Sequence, residues 1–172
     1  MKTISKPLSC LVCLVALATF ATAPDAHAQK WIMSGISEAS SGLEGGGGRA
    51  QSMGRAQTRM RIGADLAVDE SPEDIFGGGV LVAVEPRTAF GIDARYTRLV
   101  RERFAFTGGI AGYLQPGSLV GPVAAFEYRY PIAKSFLFTA GPELDVFVVG
   151  TDLPDRTVLW QALFHAGMRV SF

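Results

Sequence analysis

Over residues 156–172, the end of the chain, every second side chain is apolar. Counting back, these are Phe172, Val170, Met168, Ala166, Phe164, Ala162, Trp160 and Val158. The interleaved set, Ser171, Arg169, Gly167, His165, Leu163, Gln161, Leu159 and Thr157, is mostly polar. Side chains alternate across a strand, so the segment predicts a strand with one greasy and one polar face. It is longer than an ordinary globular strand and ends on an aromatic residue, the pattern of a strand that spans a membrane.

The same alternation recurs upstream. Residues 57–69 place Thr58, Met60, Ile62, Ala64, Leu66 and Val68 opposite Gln57, Arg59, Arg61, Gly63, Asp65 and Asp69. A helix would bring Arg61 and Asp65 together but scatter the apolar set around its circumference. Residues 76–85 carry Val80, Val82 and Val84 on one face, and 88–98 set Phe90, Ile92, Ala94 and Tyr96 against Gly91, Asp93, Arg95 and Thr97. In 104–114, Phe104, Phe106 and Ile110 oppose the small Ala105, Thr107, Gly109 and Ala111. Residues 119–130 set Val120, Ala124, Phe126, Tyr128 and Tyr130 against Gly121, Glu127 and Arg129. Residues 136–149 set Phe136, Phe138, Leu144, Val146 and Val148 against Thr139, Glu143 and Asp145. A first short strand is expected over 30–38. Residues 39–56, polar and with four successive glycines, read as a flexible loop, and 70–75, with Pro72, as a turn.

That gives about eight strands joined mostly by short links, and short links favour antiparallel neighbours. Eight strands can close on themselves and remove every edge. The expected fold is all-β, an antiparallel up-and-down β-barrel that spans a membrane. Pro122 and Pro142, each after a glycine, fall inside strands on the apolar face. A proline removes a ladder donor, so a local bulge or kink is expected at both.

Which face points outward separates two architectures. A soluble barrel would wrap its apolar face around a cavity; a membrane barrel turns that face to lipid. The apolar faces carry no charge in their central stretches. The opposite faces carry Arg59, Arg61, Asp65, Asp93, Arg95, Glu127, Arg129, Glu143, Asp145, His165 and Arg169, of both signs and mixed with small residues. Such a set suits a narrow, charge-paired interior, because a buried charge must be paired and hydrogen-bonded. Tyr128, Tyr130, Trp160 and Phe172 fall near strand ends, where an aromatic girdle lies.

Composition adds a destination. Net charge is zero across 172 residues and mean hydropathy is +0.24, so nothing points to nucleic acid. Lys2 and Lys6 precede an apolar run, 8–20, and an Ala26-His27-Ala28 cleavage pattern. Residues 1–28 are therefore expected to be a cleaved signal peptide and 29–172 the barrel domain. Both cysteines, Cys10 and Cys13, lie in the signal, so the mature chain has no thiol and no disulfide.

The signal, the alternating strands and the Gly167-x-Arg169-x-Ser171-Phe172 ending resemble small outer-membrane β-barrel proteins of Gram-negative bacteria. The resemblance implies residence in the outer membrane among its lipids, with both chain ends in the periplasm. It also implies that Met168, Val170 and Phe172 form the signal read by the barrel-assembly machinery. Some barrels of this class are lipid-modifying enzymes that need a serine, a histidine and an acid. His165, the single histidine after the signal, stands six residues from Ser171 on the same face, about 20 Å along a strand and out of reach. No catalytic set, metal site or cofactor is read from the sequence. The expected role is structural or interactive, or a very narrow porin-like pore. A lipid-modifying enzyme and a secreted soluble barrel that binds a hydrophobic ligand are the alternatives.

Overall fold

The computed structural model describes residues 31–47, 54–151, 153 and 157–172. The expected signal peptide and most of the 48–56 link lie outside them. Nine strand segments follow in order: β1 (Trp31–Gly47), β2 (Arg55–Val68), β3 (Ser71–Glu85), β4 (Ala89–Val100), β5 (Phe104–Gln115), β6 (Leu119–Ala133), β7 (Phe136–Phe147), β8 (Val149–Gly150) and β9 (Val158–Ser171). β8 continues β7 past Val148, so the segments form eight staves. Each pairs antiparallel with its sequence neighbour, and β9 returns to β1, Ser34–Gly47 lying against Val158–Ser171. The sheet closes into an eight-stranded antiparallel barrel. Closure satisfies every ladder without an edge, the condition for crossing lipid with strands.

Closure depends on a segment whose composition hides it. Residues 39–47 are not a loop; they complete β1, the longest strand, and bridge β2 to β9. Their glycines serve close approach. A Cβ on Gly42 would stand 2.1 Å from the Ala162 carbonyl oxygen, and one on Gly45 would stand 2.3 Å from the Trp160 ring. Residues 71–75 are likewise strand, not turn. β3 begins at Ser71 with Pro72 near its start, where a missing ladder donor is tolerated, and a register shift follows Ala67.

The prolines leave the barrel closed. At Pro122 the β6 ladder passes from Val120↔Val149 to Val123↔Asp145, so one extra residue is taken up around Val148. At Pro142 no shift occurs. The register from Ala125↔Glu143 resumes unchanged at Tyr128↔Ala140, and Pro142 stays paired with Phe164 on β9.

Exposure alternates along most of each long strand, broken at 77–79 in β3 and 111–113 in β5. Ile62, Ile110 and Phe164 are 60–62% exposed, while their neighbours Arg61, Ala111 and His165 are buried. From Trp160 to Phe172 the outer face of β9 rises about 30 Å once strand tilt is allowed for, matching a bilayer's hydrocarbon core. Aromatics gather at the rim where β1 begins and β9 ends. Phe76 stands 5.3 Å from Tyr96, and Phe104 5.6 Å from Tyr128, between ring centres. Tyr130, Phe136 and Phe172 share that rim, while Phe90 and Trp160 mark the opposite one.

The β1 assignment is directly testable. Gly42 sits between Gln57 and Leu163, where a Cβ would meet the Ala162 carbonyl oxygen, so Gly42→Val forces the β1–β9 backbones apart and is expected to abolish the heat-modifiable gel migration of the folded barrel. Unchanged migration would return this stretch to a loop.

Candidate functional site

The interior is built from alternate residues of all eight staves. All eleven polar positions named from the sequence point inward and are buried: Arg59, Arg61 and Asp65 on β2, Asp93 and Arg95 on β4, Glu127 and Arg129 on β6, Glu143 and Asp145 on β7, and His165 and Arg169 on β9. Between them, β3 and β5 contribute small residues. Gly77 makes room for Asp65, whose Oδ1 would lie 2.1 Å from a Cβ there. Gly79 faces Asp93 Oδ1 and Arg61 Nε at 3.2 and 3.3 Å in the same way. An eight-stranded barrel is filled by side chains, so bulk on one strand requires its absence on the next.

Two ion clusters result. In the first, Arg59 bonds Asp145, approaches Glu143 at 2.6 Å and donates Nε to Ser40 at 3.2 Å. Arg95 joins Glu143 at 2.7 Å and Asp93 at 2.6 Å. Arg61 joins Asp93 at 2.6 Å and Glu38 at 3.2 Å. In the second, Arg169 bonds Asp65 and reaches Glu127 at 3.3 Å, while Arg129 meets Glu127 at 3.1 Å. Thr107 donates to Glu127 at 3.0 Å. Glu38 escaped the sequence reading because it ended the short strand drawn for β1. Its signal was parity: Glu38, Ser40 and Glu44 continue one alternating face.

His165 lies beside this lattice, with Nδ1 3.8 Å from Glu143 Oε2, beyond hydrogen-bond length. Ser171 is remote from it, but Ser40 is its cross-strand partner on β1. His165 thus has Ser40 on one side and Glu143 near its imidazole on the other, a grouping hidden while 39–56 read as a loop. The geometry does not form a working triad. Ser40 is engaged by Arg59, and all three residues are buried at mid-barrel.

Beyond the first cluster, away from the start of β1 and the end of β9, an apolar group fills much of the interior beside the buried Gln57 and Gln161. Leu81, Ala83, Ala89, Ala111, Tyr113, Leu119, Val123 and Phe147 pack together, with Leu153 and Leu159 against them. The Tyr113 and Phe147 rings stand 5.5 Å apart. This plug was missed because it occupies inward positions expected to be polar. Its signal is local loss of alternation, where both parities become apolar, as in Leu81-Val82-Ala83-Val84 and Phe147-Val148-Val149. A recess of only about 20 Å³ lies beside it, lined by Glu44, Gln57, Tyr113 and Gln161 among others. Glu85 and Arg87 stand exposed at that rim.

No family model and no curated protein matches the chain. Among solved structures, the chain is similar to the crystal structure of Neisserial surface protein A at 14% identity and a TM-score of 0.53, over 81% of this chain and 97% of that one. A de novo designed transmembrane β-barrel aligns at 9% identity and a TM-score of 0.45, over 84% and 99%. The first likeness, together with the closed sheet, shows the fold: a closed eight-stranded antiparallel β-barrel.

Removing one partner from a buried ion pair leaves the other charge uncompensated, at a cost of about 3–5 kcal/mol. Arg59→Met is therefore expected to lower the urea unfolding free energy in lipid vesicles by that amount. A loss below about 1 kcal/mol would show that the Arg59 cluster carries little of the fold's stability.

Proposed function

We propose that the chain is a non-enzymatic outer-membrane barrel with a structural or interaction role, its interior closed to ions. The observation that carries this reading is the stacking of an apolar plug on a cross-linked ion lattice within one narrow barrel. The lattice has the character of a scaffold: its carboxylates and guanidinium groups hold one another across β1, β2, β4, β6, β7 and β9. An open channel needs mobile charges along a wet path. Here the pairs are fixed to strands, and Leu81, Tyr113, Leu119 and Phe147 occupy the section above them.

Outer-membrane lipids are the proposed surroundings of the apolar band. Met168, Val170 and Phe172 are the proposed contact for the barrel-assembly machinery. Phe172 fits that role: its amide is tied to the Met33 carbonyl at 3.0 Å while its side chain stays 81% exposed. The links β3–β4 and β5–β6 span only residues 86–88 and 116–118, giving little reach for an adhesin. The enzymatic alternative lacks support, since Ser40 and His165 lie where lipid and plug both keep substrates away. The soluble alternative conflicts with the broad apolar exterior.

In planar bilayers the purified barrel is expected to show no discrete conductance steps. Stepwise, voltage-stable openings by the wild-type chain would overturn the closed reading in favour of a narrow pore.

A further inference from the structure

The wall of the barrel is not equally bonded all round, and its weakest line runs between β6 and β7. Both backbone groups of a strand residue point to one neighbouring strand, and those of the next residue point to the other. Arg129 N donates to Arg103 O at 2.8 Å, so the odd residues of β6 face β5 and the even ones face β7. The pairs Ala124↔Leu144 and Tyr128↔Ala140 then turn the even residues of β7 toward β6. Pro122 and Pro142 are both even and neither has an N–H, so both gaps fall on this one seam. Continuing the register sets Pro122 opposite Val146 and Pro142 opposite Phe126. The Val146 and Phe126 carbonyls do point across the seam, to where a Cβ on Gly121 or Gly141 would fall. Two acceptors have thus lost their ladder donors, one on each side of Ala124↔Leu144, and lipid supplies no replacement.

Side chains do not compensate. Among the described residues, no side-chain hydrogen bond, ion pair or ring contact joins β6 directly to β7. The adjoining seam differs: Thr107 of β5 bonds Glu127 of β6 at 3.0 Å, and the Phe106 and Phe126 rings stand 5.2 Å apart. The inward acids of the weak seam are held from elsewhere, Glu127 by Arg129 and Arg169, and Glu143 by Arg59 and Arg95. The weak stretch is bounded. Thr151 N donates to Ser118 O at 2.9 Å beyond one end, and Tyr128↔Ala140 resumes the ladder at the other.

We propose that β6–β7 between Gly121 and Pro142 is a lateral slot, the line along which the closed sheet parts first. It lies at mid-height, where Pro142 meets Phe164 of β9, and it is clamped at both ends. It gives an interior blocked along its axis by the plug a route to the bilayer. The slot belongs to the wall, so it stands whether or not the barrel conducts.

Hydrogen–deuterium exchange of the refolded barrel in lipid bicelles, read amide by amide and corrected for intrinsic rates, tests this within single strands. One backbone hydrogen bond is worth about a factor of five in an opening equilibrium, and two about thirty. The amides of Ala124, Phe126 and Leu144 face the seam, and those of Val123, Ala125 and Glu143 face β5 or β9. The first set is expected to exchange at least about tenfold faster than the second. Pro142→Ala returns one donor at an outward position and is expected to slow the seam-facing amides about fivefold. With Pro122→Ala added, the difference between the sets is expected to vanish. Equal protection of the two sets overturns the proposal, as does faster exchange at another seam at mid-height, or a folded Pro142→Ala barrel whose seam exchanges as before. Should the variants not fold, the wild-type comparison decides the matter.

Discussion

Arg59 cannot stand alone. Its guanidinium is buried at the centre of the barrel, and the structure holds it with Asp145 and Glu143 of β7 and Ser40 of β1. The same is true of Arg61, Arg95 and Arg169, so each charge is tolerated only because strands far apart in sequence meet across the interior. Arg59 and Asp145 belong to β2 and β7, and Arg169 and Asp65 to β9 and β2. Uncompensated burial of any one would cost several kcal/mol. Closure of the sheet and pairing of the lattice are thus mutually dependent: the sheet brings the partners together, and the partners penalise any register in which they do not meet. A slip by one residue would turn every arginine toward lipid.

The interior is polarised along its axis. The plug around Tyr113 and Phe147 occupies one end, the Arg59 cluster the middle, and the Arg169 cluster with a cavity beside it the end where β1 begins and β9 finishes. The outside is polarised too, with most exposed aromatic side chains at that same terminal rim. Glycine permits this filling by leaving space rather than by bending. Gly77 yields its volume to Asp65, and Gly167 yields to Glu38, whose Cγ would lie 2.5 Å from a Cβ there.

Strand alternation is a direct imprint of a two-faced sheet, and it carried most of the fold. It located the staves from β2 to β9 and the inward parity of Arg59, Arg95, Glu143 and His165. It failed where composition masked it. β1 beyond Glu38 has only Leu43 as a large apolar residue on its outer face, beside Ala39 and Ser41, so the greasy half of the alternation is faint although Glu38, Ser40 and Glu44 keep the polar half, and its membership of the sheet rests on pairing with β2 and β9. Pro72 looked like a turn because proline's local chemistry is ambiguous at a strand start. The plug was obscured for the opposite reason, since both parities are apolar there. Which acid meets which arginine was beyond the sequence, because those pairs depend on barrel register, as does the placing of Ser40 beside His165.

The central claim is that charges face inward and the apolar set faces lipid around a closed sheet. A nitroxide scan along β9 in lipid vesicles, residues 158–171, tests it most directly. The account predicts oxygen accessibility with a period of two, high at 160, 162, 164, 166 and 168 and low at 161, 163, 165, 167 and 169. The reverse phase, or no period, would contradict it.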